Sequence, residues 1–202
     1  MTAIDYGPAG NTYDKFNSKN PISRYLMAGF LRSLRGFLGQ APAQTVLEVG
    51  CGEGYIQQIL AEYRYTTQVA FDIDAPIVHE ARQRHANAQY LVANGEALPF
   101  ERGAFDLAMA IEVLEHVPDP SRVLAEMARV SRQYVLVSVP HEPIWRVLNM
   151  ARGKYWGALG NTPGHVQHWS SAGFVRQVAE HLDVVAVAQP LPWTMVLAKV
   201  RG

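Results

Sequence analysis

The run Gly50-Cys51-Gly52-Glu53-Gly54 has the residue types to hold a ligand against the backbone. It lies between the apolar stretch Thr45–Val49 and a stretch of helical periodicity beginning at Tyr55. Glycines let the chain turn sharply and approach a ligand closely, and a helix that starts just behind such a loop offers unpaired N–H groups. Twenty residues beyond Gly52, Asp72 closes a second apolar stretch, where a carboxylate can accept hydrogen bonds from both hydroxyls of a ribose. Its neighbour Asp74 reads as a helix cap. The spacing narrows the chemistry. In a Gly-x-Gly-x-x-Gly dinucleotide loop the third glycine would fall at Tyr55, and here Gly54 comes one residue early. No Gly-Lys-Ser/Thr follows, so a triphosphate-gripping loop is excluded.

Histidines supply the candidate proton acceptors, since imidazole titrates near neutrality. His141 and Glu142 follow the apolar run Tyr134–Val139, while His165 and His168 stand three apart beside Trp169. As catalytic bases they rank His141, then His165, then His168; His116, next to Glu115, reads as structural. His165 and His168 with His141 and Glu142 could supply metal ligands, but without a dense ligand pattern the expectation is no metal. All four tryptophans (Trp145, Trp156, Trp169 and Trp193) lie beyond residue 140. Aromatic bodies with polar handles suit a binding cavity, although some would pack a satellite core. Arg146, Arg152 and Lys154 make the same stretch basic.

The elements that must position these groups are legible from periodicity. Ile22, Tyr25, Leu26, Phe30, Leu34 and Phe37 recur at helical spacing over 21–38, with Asn20 as cap and Pro21 at the first helical position. Strands are expected at 45–49, 68–71, 89–92, 105–110, 134–139, 183–188 and 194–200. Helices are expected at 55–63, 75–86, 121–130 (capped by Ser121) and 170–181. Alternating strands and helices define an α/β fold with a mostly parallel sheet. The short turn holding Pro190 and Pro192 makes the last two strands antiparallel. Residues 141–169 show no clear periodicity, and a segment of that length within a domain usually serves function or carries short elements of its own.

Composition sets the outer bounds. The 202 residues are 49% hydrophobic and 18% charged, enough apolar material for a sizeable core. A single cysteine, Cys51, excludes a disulfide scaffold and a multi-cysteine zinc site. Zero net charge argues against sequence-independent nucleic-acid binding. The charge is blocked, however: +3 over residues 1–44, −8 over 45–126 and +5 over 127–202. No apolar run is long enough to span a bilayer, and the polar stretch Met1–Asn20 has no signal-peptide character. The expectation is a cytoplasmic protein, its oligomeric state left open.

Val46-Leu47-Glu48-Val49-Gly50-Cys51-Gly52-Glu53-Gly54 resembles the first motif of the class I S-adenosylmethionine-dependent methyltransferases. Phe71-Asp72-Ile73-Asp74 is similar to their second-strand motif. Gly95-Glu96-Ala97-Leu98-Pro99-Phe100, Phe105-Asp106-Leu107 and Glu112 to Pro120 resemble later motifs of the small-molecule branch. The resemblance implies a Rossmann-like, seven-stranded sheet of order 3-2-1-4-5-7-6 with helices on both faces. It also implies S-adenosylmethionine as cofactor, with Glu48, Gly50, Gly52 and Gly54 lining its methionine and ribose portion. Asp72 would hold the ribose hydroxyls and Ile73 would pack on the adenine. Asn94, with Gly95 and Glu96, would stand where the family usually has an Asp for the adenine amino group. Ile111 would lie near the sulfonium, and Cys51 would be a small buried filler. Tyr13 and Arg24, with Asn20, could meet the methionine carboxylate if the N-terminal arm folds over the cofactor. Residues 1–44 then form an arm and cap helix, and 45–202 the methyltransferase domain with an insertion at about 141–169. The acceptor expected is a small molecule methylated on oxygen, with nitrogen or carbon as further options. The alternatives are a catalytically silent binding or scaffold protein on the same fold and a nicotinamide-dependent oxidoreductase, disfavoured by Tyr55.

Overall fold

The computed structural model describes residues 19–202. In chain order the elements are α1 Pro21–Gln40, β1 Thr45–Val49, α2 Tyr55–Leu60, β2 Thr67–Asp72, α3 Ala75–Arg84, β3 Gln89–Val92 and β4 Phe105–Ile111. They continue with α4 Pro120–Val130, β5 Ser131–Pro140, α5 Ile144–Ala151, α6 Ser171–His181, β6 Asp183–Ala188 and β7 Trp193–Lys199. Short 3-10 turns cover Leu114–His116 and Trp156–Ala158.

The strands form one sheet of order β3-β2-β1-β4-β5-β7-β6. All neighbours pair in parallel except β7, which runs antiparallel to both β5 and β6. This is the expected Rossmann-like architecture. β4 is buried along its whole length, as a central strand covered by helices on both faces must be. One face of the sheet packs on α4 and α6 through residues such as Val123, Met127, Phe174 and Val178. The other packs on α1 and α2, where Phe30, Leu34, Ile56 and Leu60 meet Leu107, Met109 and Leu197.

Several local expectations change: α2 stops at Leu60, β5 starts at Ser131, and Ser170 caps α6 from outside. The cap of α4 is Asp119, whose carboxylate accepts from the Arg122 N–H, with Pro120 at the first helical position. Ser121 is thus inside the helix. The 141–169 segment holds a two-turn helix, α5, whose first residue follows Pro143 with no side-chain cap. Eight residues without a cap leave too short a periodic signal to read from sequence.

Candidate functional site

The parallel strands β1, β2 and β4 end on one side of the sheet, where a sheet of this kind places its ligands. A cavity of about 730 Å³ opens there, within the range of small-molecule sites. Its floor is the glycine loop and the ends of β1, β2 and β4. Its roof is the start of α1 on one side and α5 with the loop after it on the other.

The glycine loop has its shape because three of its residues are in the left-handed region, Gly50 at φ 69°, Gly52 at φ 50° and Gly54 at φ 84°. The three serve different ends. A Cβ on Gly50 would lie 2.6 Å from a Val113 methyl, and one on Gly54 would press on α3 at Ala81 and His85, both at 3.3 Å. A Cβ on Gly52 would meet nothing within 4 Å, because that face of the loop looks into the cavity. Gly54 does not line the cavity; its glycine is required by the packing of the loop on α3, which corrects its assignment to the ligand surface.

Asp72, at the end of β2, accepts from the Gly52 N–H at 3.0 Å and from the Asp74 N–H at 3.2 Å. Burial raises its carboxyl above the usual range, against the pull of these backbone donors. Glu48, on β1, is fully buried and accepts from Gln57 Nε2 at 2.5 Å. Burial pushes its carboxyl up to about 8, with the nearby Asp72 charge adding to the rise. Cys51 is buried, and burial raises its thiol far above the ordinary value, so it offers no thiolate. Ile73, Asn94, Gly95 and Ile111 line the cavity. Asn94 turns its Oδ1 to the Glu96 N–H. Glu96 itself is not in the wall; its carbonyl accepts from Arg122.

The remaining predicted residues divide. Tyr13 lies outside the described residues. Arg24 is exposed on α1 and does not reach the cavity, whereas Asn20, Ser23 and Met27 do. The side chain of Asn20 is also the α1 cap, accepting from the N–H groups of Ile22 and Ser23. Of the three histidines only His165 lines the cavity. The His141 backbone is tied to Pro192 and bridged to Trp169 at the rim of the sheet. His168 is exposed, bonded to Asn161 and Arg146, and is held below the ordinary imidazole value by partial burial and the Arg146 charge. The placement of His141 and His168 corrects their ranking as bases, because a base must reach the proton that it takes.

Sequence reasoning set aside two groups that the structure brings forward. Glu115 and His116, on the turn after β4, stand in the cavity wall beside His165. The His116 Nδ1 lies 3.0 Å from the Gly164 carbonyl. The signal was there in their position immediately past a central strand. Glu112 also lines the cavity, with φ 61°; Trp193 Nε1 donates to its Oε2 at 2.6 Å. No local pattern links residues 81 apart in sequence. Trp145 and Trp193 line the cavity and pack together at 5.8 Å between centroids, while Trp169 packs on Phe174 and Trp156 is exposed.

Residues 47–137 match the family described as the methyltransferase domain. A Mycobacterium tuberculosis protein (strain CDC 1551 / Oshkosh) named a probable S-adenosylmethionine-dependent methyltransferase is 35% identical over 101 residues, 49% of this chain and 36% of that protein. The malonyl-[acyl-carrier protein] O-methyltransferase of Salmonella typhimurium is 35% identical over 130 residues, 64% of this chain and 49% of that enzyme. The chain therefore spans about a third to a half of the length of these curated relatives. Among solved structures, the magnesium protoporphyrin IX methyltransferase of Synechocystis PCC 6803 with bound S-adenosylhomocysteine superposes with a TM-score of 0.68. That likeness covers 92% of this chain and 90% of that one, at 16% identity, and establishes the shared fold. Sheet order and glycine loop are those that the resemblance to class I S-adenosylmethionine-dependent methyltransferases implies, and residues 47–137, a little under half of the chain, match the methyltransferase-domain family. Among the described residues, no helix is long and apolar enough to cross a membrane.

Proposed function

We propose that this chain transfers the methyl group of S-adenosylmethionine to an oxygen atom of a small-molecule acceptor. The observation that carries the reading is the continuity of one cavity, from the Gly52 and Asp72 floor to the α5 roof. A nucleoside at one end and an acceptor at the other would meet inside it. The residues fit the cofactor: Gly52 keeps an open face toward the cavity, where a side chain would occupy space the cofactor needs, and two acidic groups, Glu48 and Asp72, line the cavity that would take a cationic, ribose-bearing molecule. When bound, the cofactor supplies a methyl group on a sulfonium, whose leaving group is already good.

The chain's own residues then mainly position and enclose. Asp72 accepts from the ribose hydroxyls, and Ile73 and Asn94 flank the adenine. Glu48 faces the methionine ammonium. The start of α1 and the Trp145 side of α5 exclude water and fix the acceptor for in-line attack. A hydroxyl acceptor must lose its proton, and the cavity wall offers Glu115, His116 and His165 at that point. The Salmonella relative's name specifies an oxygen acceptor, which supports oxygen here.

Calorimetry with S-adenosylhomocysteine and with NAD separates the alternatives, and a methyl-transfer screen of small-molecule extracts read by mass spectrometry tests turnover. Binding of the homocysteine form with methylated product is the expected result. NAD binding alone would move the chain to the oxidoreductases. Cofactor binding with no product across acceptor classes would leave a silent binding protein.

A further inference from the structure

Glu115, His116 and His165 each point one ligand-type atom at a common place, all three atoms within 4.8 Å of one another. We propose that these residues bind a divalent transition-metal ion in the wall of the cavity, at its acceptor end. Two imidazoles and one carboxylate are a donor set for zinc, manganese, iron or cobalt rather than for calcium or magnesium, which favour oxygen throughout. Donors about 2.1 Å from a tetrahedral ion stand roughly 3.4 Å apart, so the observed separation closes with small side-chain movements.

The ligands are held in place as a metal site requires. The Gly164 carbonyl can only accept, so His116 Nδ1 carries the proton. In the neutral ring Nε2 is then the ligand-type nitrogen, in a carbonyl–histidine arrangement typical of metal sites. The His165 ring is packed between Trp145, stacked at 6.1 Å, and His116, edge-on at 4.8 Å. Trp145 is fixed in turn by donating from Nε1 to Thr162 Oγ1 at 2.9 Å. The two chain segments that carry the ligands are clasped by backbone bonds: the Val166 and Gln167 N–H groups both donate to the Glu115 carbonyl, at 2.9 and 3.1 Å. Glu115 and His165 are buried, yet all three residues reach the cavity. Three protein ligands leave at least one position open on the cavity side, the pattern of a catalytic rather than a structural site.

The role of the ion rests on the methyltransferase reading. A hydroxyl bound at the open position has a lowered pKa and gives its proton to water. Its oxygen then forms the O–C bond while the C–S electron pair stays on sulfur. His165 is a ligand in this scheme, and no side chain is needed as base.

The test uses the full chain freed of metal by chelation. Manganese(II) is titrated in and followed by electron paramagnetic resonance, and zinc(II) by calorimetry; S-adenosylhomocysteine affinity is measured on the same preparations. One ion per chain is expected, with Glu115→Gln and His165→Gln each weakening it by about 100-fold or more, at or beyond the upper end of the range for outer-shell changes. Both variants should keep the wild-type circular dichroism spectrum and bind S-adenosylhomocysteine. Absence of binding to the wild-type chain at millimolar manganese and zinc overturns the site, as does binding that both variants retain. A chain that binds S-adenosylhomocysteine but no ion loses only the metal proposal. A chain that binds the ion but no S-adenosylhomocysteine loses the methyltransferase reading and keeps the metal site.

Discussion

Glu48 carries its proton at neutral pH because burial makes the carboxylate expensive. An ordinary glutamate, as in the unfolded chain, ionises near 4.5, and the folded chain holds this proton to about 8. Below the lower value both states are protonated. Between the two values only the folded state binds the proton, so this group's contribution to stability falls as pH rises through that window. Above about 8 the slope vanishes. Glu48→Gln should therefore gain denaturant resistance over wild type at pH 8 more than at pH 5, a difference read from urea midpoints. A cationic ammonium beside Glu48 favours the carboxylate. Cofactor binding near pH 7 should then release up to one proton, counted by calorimetry in buffers of different ionisation enthalpy, and Glu48→Gln should abolish that release. In the proposed binding mode Asp72 would accept hydrogen bonds from the ribose, and a hydrogen bond to a charged group is worth about 1.5–3 kcal/mol. Asp72→Ala should weaken S-adenosylhomocysteine binding by about that amount; unchanged affinity in a folded variant would remove Asp72 from the ribose.

At the scale of elements, α5 and the loop after it form one side of the cavity roof, the acceptor side in the proposed reading. Asn149, nearly inaccessible, holds them together by donating from Nδ2 to the Gly160 carbonyl at 2.8 Å and to Thr162 Oγ1 at 3.1 Å. Thr162 in turn orients Trp145. Asn149→Ala leaves the Gly160 carbonyl without that donor, a change in the range of about 1–3 kcal/mol. Hydrogen exchange should accelerate over residues 144–165 and stay unchanged in β1, β2 and β4, with S-adenosylhomocysteine affinity nearly intact. Exchange that rises everywhere would make Asn149 a general core residue. This is also where sequence and structure part. Strands β1, β4 and β5 are legible because their apolar runs are buried in a two-sided core. α5 is not, because its eight residues pack partly on a cavity and its boundaries carry no cap. The cavity floor was legible because each of its short runs, Glu48–Gly52, Asp72–Ile73, Asn94–Gly95 and Ile111, sits just at or past the end of a readable strand. The meeting of Glu115 and His116 with His165 was not, because residue type says nothing about direction. His141, just past a strand end, ranks ahead of His165 on sequence position alone, yet its backbone is tied at the rim of the sheet and only His165 lines the cavity.

For the molecule as a whole, the cavity lies between the ends of a rigid sheet and a roof built from two separate stretches of chain. A ligand that binds only the folded form stabilises it by about 2.7 kcal/mol at a hundredfold excess over its Kd. S-adenosylhomocysteine should accordingly raise the melting temperature in a concentration-dependent way, and NAD at equal concentration should not. Equal shifts from both would signal a nucleoside site without the selectivity inferred from Tyr55 and Gly54.

The clasp between the turn after β4 and the segment around Val166 joins two stretches of chain that supply different parts of the cavity wall. The floor that meets the cofactor comes from the first half of the chain, while much of the opposite wall is supplied after β5. The two halves touch through main-chain bonds at Glu115, through the His116 ring on the Gly164 carbonyl, and through the Gln167 amide donating to the Val117 and Pro118 carbonyls, so Gln167 must be kept in any exchange. On the proposed reading, the 141–169 stretch can be tested as an exchangeable unit. Grafted as a unit from another protein of this sheet order, with the residue that accepts its two N–H groups retained, it would change what is methylated without disturbing the donor of the methyl group.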